Sequence, residues 1–457
     1  MSPIRYYSTN RNLEAEGIPP FREPVGFREA LMMGQAPDAG LFMPERLPVL
    51  SPGEIASLKD QPYWVAALAV GRHFWEDIVP LKDLAAILRD AYDFPIPLEC
   101  VYGRKYVMRL DRGPTASFKD FAARLMSRLM SYLCPSGRQL TVLVATSGDT
   151  GSAIGEAFKG VEGIRVYILY PAGEVSPRQK KQLDTIGDNV QALMVDGKFD
   201  DCQNMVKRAF LDPDLRELHL TSANSINIGR ILPQSIYYIW GYAQVAREGE
   251  KAVICVPSGN FGNAFGCELA WRMGLPVHRL LMPTNENDEF PRLLSSGIYR
   301  KVDPSRKCLS NAMNVGHPSN LARFFDIYGG AIDRTGRVHA CPDLDLMRRR
   351  IYSVSVSDGE TRGTIVEAYS RYGLLLEPHG AVGWKGLLEY LKKEGDFPLC
   401  LSIETAHPAK FPDEIEALLG LHPPAPPSLR DLEKRKGGPI PLPNDYRRFK
   451  EFLLSLR

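Results

Sequence analysis

Almost no net charge remains on this chain: 56 lysines and arginines stand against 54 aspartates and glutamates. So even a balance leaves no electrostatic footprint for nucleic acid or for an anionic membrane surface. No apolar run is long enough to span a bilayer, and the opening residues 1–12 lack the apolar core of a secretory signal. The eight cysteines are scattered singly, without a C-x-x-C pair. They read as reduced, structural thiols of a cytoplasmic protein. The eight histidines form no H-E-x-x-H, and no dedicated metal site is expected. What remains is an ordinary globular composition, 44% hydrophobic over 457 residues, long enough for two or three domains.

From about residue 99 the chain alternates β-rich runs with helical periodicity. Strands are expected at 140–146, 165–170, 190–195, 218–222, 252–257 and 280–283. Helices are expected between them at 152–158, 177–186, 200–210, 228–246 and 263–273. This alternation with short linkers implies a doubly wound, mostly parallel α/β fold, with ligands at the carboxyl ends of the strands. Residues 1–98 form a separate N-terminal region with helical patterns at 27–34 and 83–91. It is closed by the proline cluster Phe94-Pro95-Ile96-Pro97. After about 415 a proline-rich piece leads to a charged helical end at 445–456, expected to dock peripherally.

Two features carry chemistry. In Gly113–Leu125, Ser117 and Asp120 have capping-box spacing ahead of an apolar run. Lys119 therefore falls in a helix's first turn, where the dipole disfavours an ammonium and favours a reactive amine. On its own such a lysine is more often a solvated surface residue. The second feature is an echo: Ser147-Gly148-Asp149-Thr150-Gly151-Ser152-Ala153-Ile154-Gly155 and Ser258-Gly259-Asn260-Phe261-Gly262-Asn263-Ala264-Phe265-Gly266. Both read S-G-[DN]-x-G-x-A-[IF]-G after an apolar strand. Such turns present free N–H groups to anions; the glycines of one alone could equally serve packing, but two alike favour anion binding. Neither is a Walker loop or a G-x-G-x-x-G turn, so nucleotide binding is not expected.

Taken in order, these motifs resemble the threonine synthase family, pyridoxal-phosphate enzymes of the tryptophan-synthase-β fold group, over most of the chain. The resemblance rests on Tyr7-Ser8-Thr9-Asn10 with Ala36-Pro37-Asp38-Ala39-Gly40-Leu41-Phe42-Met43-Pro44, on Thr115-Ala116-Ser117-Phe118-Lys119-Asp120, and on Thr146-Ser147-Gly148-Asp149-Thr150-Gly151. It rests further on Asn224-Ser225-Ile226-Asn227 with Arg230, on Gly259-Asn260-Phe261-Gly262-Asn263, and on Glu404-Thr405-Ala406-His407-Pro408-Ala409-Lys410-Phe411. Three departures stand out. The family more often has Gly at Ala39. It usually has Trp-Ala at Ile228-Gly229, and Asn and Asp at the positions of His317 and Asn314.

The resemblance implies conversion of O-phosphohomoserine and water to threonine and phosphate, with Lys119 holding the cofactor and shuttling protons. It implies cofactor contacts from Phe118, Asp149, the loop Gly259, Asn260, Phe261, Gly262 and Asn263, and Thr405, whose hydroxyl would meet the ring nitrogen. Asp149 is expected to point at the ring or at a backbone N–H. The substrate carboxylate would fall to Ser147, Thr150, Gly151 and Ser152, and its phosphate to Asn224, Ser225 and Arg230. It also implies a large cofactor domain (99–139 and 219–415), a small substrate domain (140–218) and a docking tail (416–457), in a monomer or homodimer without nucleic-acid, membrane or metal partners. The rivals are a phospho-lyase releasing 2-oxobutyrate, ammonia and phosphate, a dehydratase of unphosphorylated amino acids, and a non-catalytic cofactor-binding regulator.

Overall fold

The computed structural model describes residues 2–14, 17–134, 139–430 and 432–456. Its organisation follows from strands such as Leu140–Ala145, where all six residues are buried. A strand apolar on both faces needs a layer on each side. Val142 and Val144 pack toward the helix Asp149–Phe158, while Leu143 and Ala145 pack toward the helix Phe199–Leu211 on the opposite face. The small sheet runs Ile440–Pro443, Val190–Asp196, Ile164–Pro171, Leu140–Ala145, Leu220–Ser222, all parallel.

The large sheet has six strands in the order Ile351–Tyr352, Val277–Leu281, Ala252–Cys255, Cys400–Glu404, Lys105–Arg109, Leu98–Tyr102. All pairings are parallel except the last, an antiparallel hairpin. Pro378–Glu394 covers one face through Trp384 and Leu387. Pro233–Val245 and Gly262–Arg272 cover the other. The fold is thus α/β with two mostly parallel sheets and an added N-terminal region. That region pairs Tyr6–Ser8 with Phe42–Pro44 and adds the helices Tyr63–Trp75 and Leu81–Ala91. It is tied to Pro233–Val245 by Trp240 Nε1 donating to the Gln61 carbonyl at 2.9 Å and Gln244 Nε2 donating to that of Leu58 at 3.0 Å.

Two expectations change. The helix expected over 228–246 is broken: a 3-10 turn Ile228–Arg230 precedes Pro233–Val245, which begins on a proline that has no N–H to continue the earlier turn. Arg230 therefore sits on the turn and not on the helix. The terminal segment also does more than dock. Ile440–Pro443 joins the small sheet as an edge strand beside Val190–Asp196, and Tyr446–Leu454 buries Phe449 and Leu453 against the sheet's outer face. Prolines are tolerated in that strand because it lies on an edge.

Among the described residues no helix is long and apolar enough to cross a membrane. No group of three or more His, Cys, Asp or Glu among them is arranged to hold a metal ion.

Candidate active site

The segments leaving the carboxyl ends of four strands, two from each sheet, converge on one cleft. They are residues 145–150, 224–225, 257–263 and 405–406, the position at which open α/β sheets bind ligands. The loop before Lys119 is fastened to the 405–407 segment. Phe118 N donates to the Thr405 carbonyl at 2.9 Å, and His407 N donates to that of Ala116 at 3.1 Å. Lys119 is the first residue of the helix Lys119–Leu133.

The capping box expected from Ser117 and Asp120 does not form. Phe118 is the N-cap residue, lies in the right-handed helical region and makes no side-chain cap bond. Ser117 is thus one residue too early. Asp120 instead accepts from Thr115 N at 2.9 Å and from Thr115 Oγ1 at 2.7 Å.

Burial lowers the Lys119 ammonium pKa to about 8, with Asp149 opposing and Lys410 and Arg230 reinforcing the shift. Its Nζ lies 4.7 Å from the Phe118 ring centroid. No hydrogen bond or ion pair holds this Nζ among the described residues, so it is free for a ligand.

Phe118, Lys119, Ser147, Asp149, Thr150, Asn224, Ser225, Arg230, Gly259, Asn260, Phe261, Gly262, Asn263 and Thr405 all line the cleft. Gly151 and Ser152 do not. Gly151 N donates to Thr146 Oγ1 at 2.8 Å, and a Cβ there would lie 2.5 Å from Thr146 Cγ2. Ser152 Oγ donates to the Gly148 carbonyl at 3.2 Å. The two echoed turns therefore differ. In the first, Thr146 consumes the N–H groups of Gly148 and Gly151. In the second, the N–H groups of residues 259–264 donate to nothing among the described residues, and the helix Gly262–Arg272 begins there. This is the more open anion cradle. Gly259 is required for close approach, since a Cβ would lie 2.6 Å from Met313 Cα.

The polar side chains divide into tethers and open groups. Asn260 is a tether: Nδ2 donates to Ser225 Oγ at 2.8 Å, and Oδ1 accepts from Ser319 N at 2.6 Å. Asn263 Oδ1 accepts from the Tyr237 and Tyr238 hydroxyls, which leaves its Nδ2 buried without a partner. Asn224 Oδ1 and Arg230 Nε are likewise buried and unpaired. Arg230 Nη1 donates to the Ala223 carbonyl at 2.7 Å, and no carboxylate pairs with it among the described residues. Burial lowers its pKa to about 10.

Asp149 is held by a cation and a side-chain amide and not by a backbone N–H. Its Oδ1 accepts from Lys410 Nζ at 3.0 Å and from Gln179 Nε2 at 3.1 Å. Burial would raise its pKa, but Lys410 and then Lys119 hold it below the ordinary carboxylate range.

Lys410, Gln179, His379 and Arg323 escape a reading of the sequence as site residues, although Lys410 lies within a quoted motif. Arg323 is fully buried. It donates to the carbonyls of Ser225 at 2.9 Å and Ile226 at 2.7 Å, which fixes that loop. His379 Nε2 accepts from Ala312 N at 3.1 Å while Nδ1 faces Glu377 Oε2.

Comparison with known proteins agrees with this geometry. Residues 98–398 match the family described as pyridoxal-phosphate dependent enzyme. Residues 5–92 match the threonine synthase N terminus, and residues 380–453 its C-terminal region. The chain is 39% identical to threonine synthase of Haemophilus influenzae over 441 residues, 95% of this chain and 97% of that protein. It is 38% identical to that of Serratia marcescens over 443 residues, 95% and 97% of the two chains. The chain belongs to the threonine synthase family. A solved structure of pyridoxal-phosphate-bound threonine synthase from Brucella melitensis superposes with a TM-score of 0.89 at 34% identity, covering 99% of both chains.

The departures from the family pattern now have physical settings. Ala39 has φ 61, a region that disfavours any Cβ. Gly229 faces Leu31 of the helix Phe27–Met33, whose Cδ1 would lie 2.4 Å from a Cβ at that position. Asn314 and His317 line a second cavity that shares Phe199, Gln203 and Asn260 with the cleft.

Proposed function

We propose that this protein converts O-phosphohomoserine and water to threonine and phosphate with pyridoxal phosphate bound to Lys119. One observation carries the reading: an unpaired lysine with a lowered pKa shares a cleft with an open N–H cradle, a free hydroxyl and an arginine that has no counterion. The residues fit the cofactor. The N–H groups of 259–264 and the unpaired Asn263 Nδ2 suit its phosphate. Thr405 Oγ1, with no hydrogen bond among the described residues, suits the ring nitrogen, and Phe118 packs beside the lysine. Bound there, pyridoxal phosphate supplies an electron sink for negative charge at the substrate's α carbon.

The remaining work falls to the chain. Lys119 Nζ, once released by the substrate's amine, would remove protons from the α and β carbons, deliver one to the γ carbon that the phosphate leaves, and restore one to the α carbon. A pKa near 8 keeps a usable fraction of free amine at neutral pH. Ser147 and Thr150, with hydroxyls and N–H groups at the start of Asp149–Phe158, would orient the substrate carboxylate. Gly151 and Ser152 would support that turn from behind. Arg230, Asn224 and Ser225 would hold the phosphate as its bond to the γ carbon breaks, and Arg230 offers a charge that strengthens as the dianion departs. The hydroxyl then added at the β carbon comes from water. We further infer that the large sheet with residues 99–139 and 219–415 carries the cofactor, and that residues 140–218 carry the substrate carboxylate.

Incubation of the cofactor-loaded protein with O-phosphohomoserine tests the reading. Threonine and phosphate should appear in equal amounts, and borohydride reduction should leave the cofactor on Lys119. Release of 2-oxobutyrate and ammonia as the main products would refute synthesis in favour of elimination. A Lys119→Ala variant that still carries a reducible lysine adduct would refute the assignment of Lys119.

A further inference from the structure

The Lys410–Asp149 pair is not used by the mechanism above, yet it is among the best buried ion pairs of the molecule. Their side chains are 1% and 3% exposed, with Nζ 3.0 Å from Oδ1. The partners come from different sheets. Asp149 opens the helix that follows the small-sheet strand Leu140–Ala145. Lys410 ends the 3-10 turn Pro408–Lys410 that follows the large-sheet strand Cys400–Glu404. Gln179 completes the fixation. Its Oε1 accepts from Ser176 N at 3.3 Å at the start of Pro177–Asp184, and its Nε2 donates to the same Asp149 oxygen at 3.1 Å.

Asp149 and Lys119 line the same cleft, and Asp149 is the only carboxylate that lines it among the described residues. An unengaged carboxylate there would bind Lys119 as an ammonium, which can neither accept a proton nor attack a carbonyl carbon.

We propose that Lys410 is a positioning residue that occupies Asp149, and thereby keeps Lys119 as a free amine when the active cleft is assembled between the two sheets. The inference rests on the reading that Lys119 carries the cofactor. The charges facing Lys119 agree with it. Besides burial, Asp149 favours its ammonium, Lys410 and Arg230 disfavour it, and Glu377 behind the cleft favours it weakly. His379, which lines the cleft, is bonded to Glu377 and to Ala312 N. Of these, Asp149 acts most strongly on Lys119, and Lys410 is the cation bound to it.

The test uses apoprotein labelled with pyridoxal phosphate and reduced with borohydride across pH 6–10, with adduct at Lys119 quantified by mass spectrometry. Lys410→Met should move the labelling profile up by about one pH unit, making labelling at neutral pH about tenfold slower. Asp149→Asn should move it down, and Lys410→Arg should keep the original profile. A merely structural role for the pair would weaken labelling in both variants without opposite displacements. Profiles that stay put, or that move in the same direction, overturn the proposal. Should Lys410→Met fail to fold, Asp149→Asn decides alone: a downward displacement supports the proposal and an unmoved profile overturns it. An adduct on another lysine of the unaltered protein would instead overturn the underlying assignment of Lys119.

Discussion

Replacing Arg230 by methionine separates a ligand-binding arginine from a structural one, because the two roles predict opposite effects on the protein without ligand. Arg230 is 3% exposed, donates one hydrogen bond to the Ala223 carbonyl, and leaves Nε buried and unpaired. Burial lowers its pKa from the ordinary arginine range to about 10, equivalent to about 3 kcal/mol for holding the charge without a counterion. Because the folded pKa lies below the unfolded one, this penalty is fully present below about pH 10 and fades as the pH rises toward the ordinary arginine value. Methionine removes the charge and keeps most of the volume, so the apoprotein should melt no lower than the unaltered protein.

Catalysis should behave in the opposite way. A lost charge-assisted contact to the leaving phosphate should cost about 2–4 kcal/mol in the transition state, roughly thirty- to a thousandfold in kcat/KM. Arg230→Lys should recover part of this, since an ammonium cannot grip two phosphate oxygens at once. Cofactor affinity should be unchanged, because the cofactor phosphate is assigned to the 259–264 cradle. The assays are thermal melting of apoprotein, cofactor titration, and kcat/KM for O-phosphohomoserine. An Arg230→Met protein that melts lower and retains kcat/KM, or that loses the cofactor, would refute the reasoning.

Three further outcomes are expected. Thr405→Asp should place a carboxylate at the ring nitrogen, favour its protonation and raise the share of 2-oxobutyrate among the products; an unchanged product ratio in the loaded variant counts against Thr405 as the ring partner. Ala39→Gly should raise stability by about 0.5–1 kcal/mol, read from the urea midpoint, because φ 61 strains a residue with a Cβ. His407 has its pKa lowered to about 4 by burial, helped by Arg112 and Arg109, so the unfolded chain takes up its proton first as the pH falls. Stability should therefore drop between about pH 6.5 and 4, by up to about 3 kcal/mol, and His407→Gln should flatten that loss in acid-titrated urea unfolding.

The doubly wound core was legible because its strands are apolar on both faces and its helices are periodic. Elements lacking those signals were not. Tyr63–Trp75 reads YWVAALAVGRHFW, apolar nearly all round, so no stripe marks it as a helix. The hairpin Leu98–Tyr102 with Lys105–Arg109 turns on Gly103 and Arg104, at φ 46 and 63. Arginine is an unusual occupant of such a turn, and the strongest hairpin signal is therefore missing. Ile440–Pro443 carries two prolines, which argue against a strand until the partner Val190–Asp196 shows it to be an edge.

The site divides along the same physical line. Motifs place backbone and chemistry-bearing residues locally, so Lys119 and the 259–263 loop could be named from spacing and resemblance, and Thr405 from resemblance alone. The state of each charge depends on partners that are remote in the chain. Asp149 meets Lys410 across 261 positions, and no local pattern announces that contact. The distinction matters because a buried carboxylate and a buried lysine have no fixed chemistry of their own. Each takes its protonation from burial and from the nearest opposite charge. The motif supplies the amine, but the packing of the two sheets, through Lys410, Asp149 and Gln179, decides whether that amine is free to react.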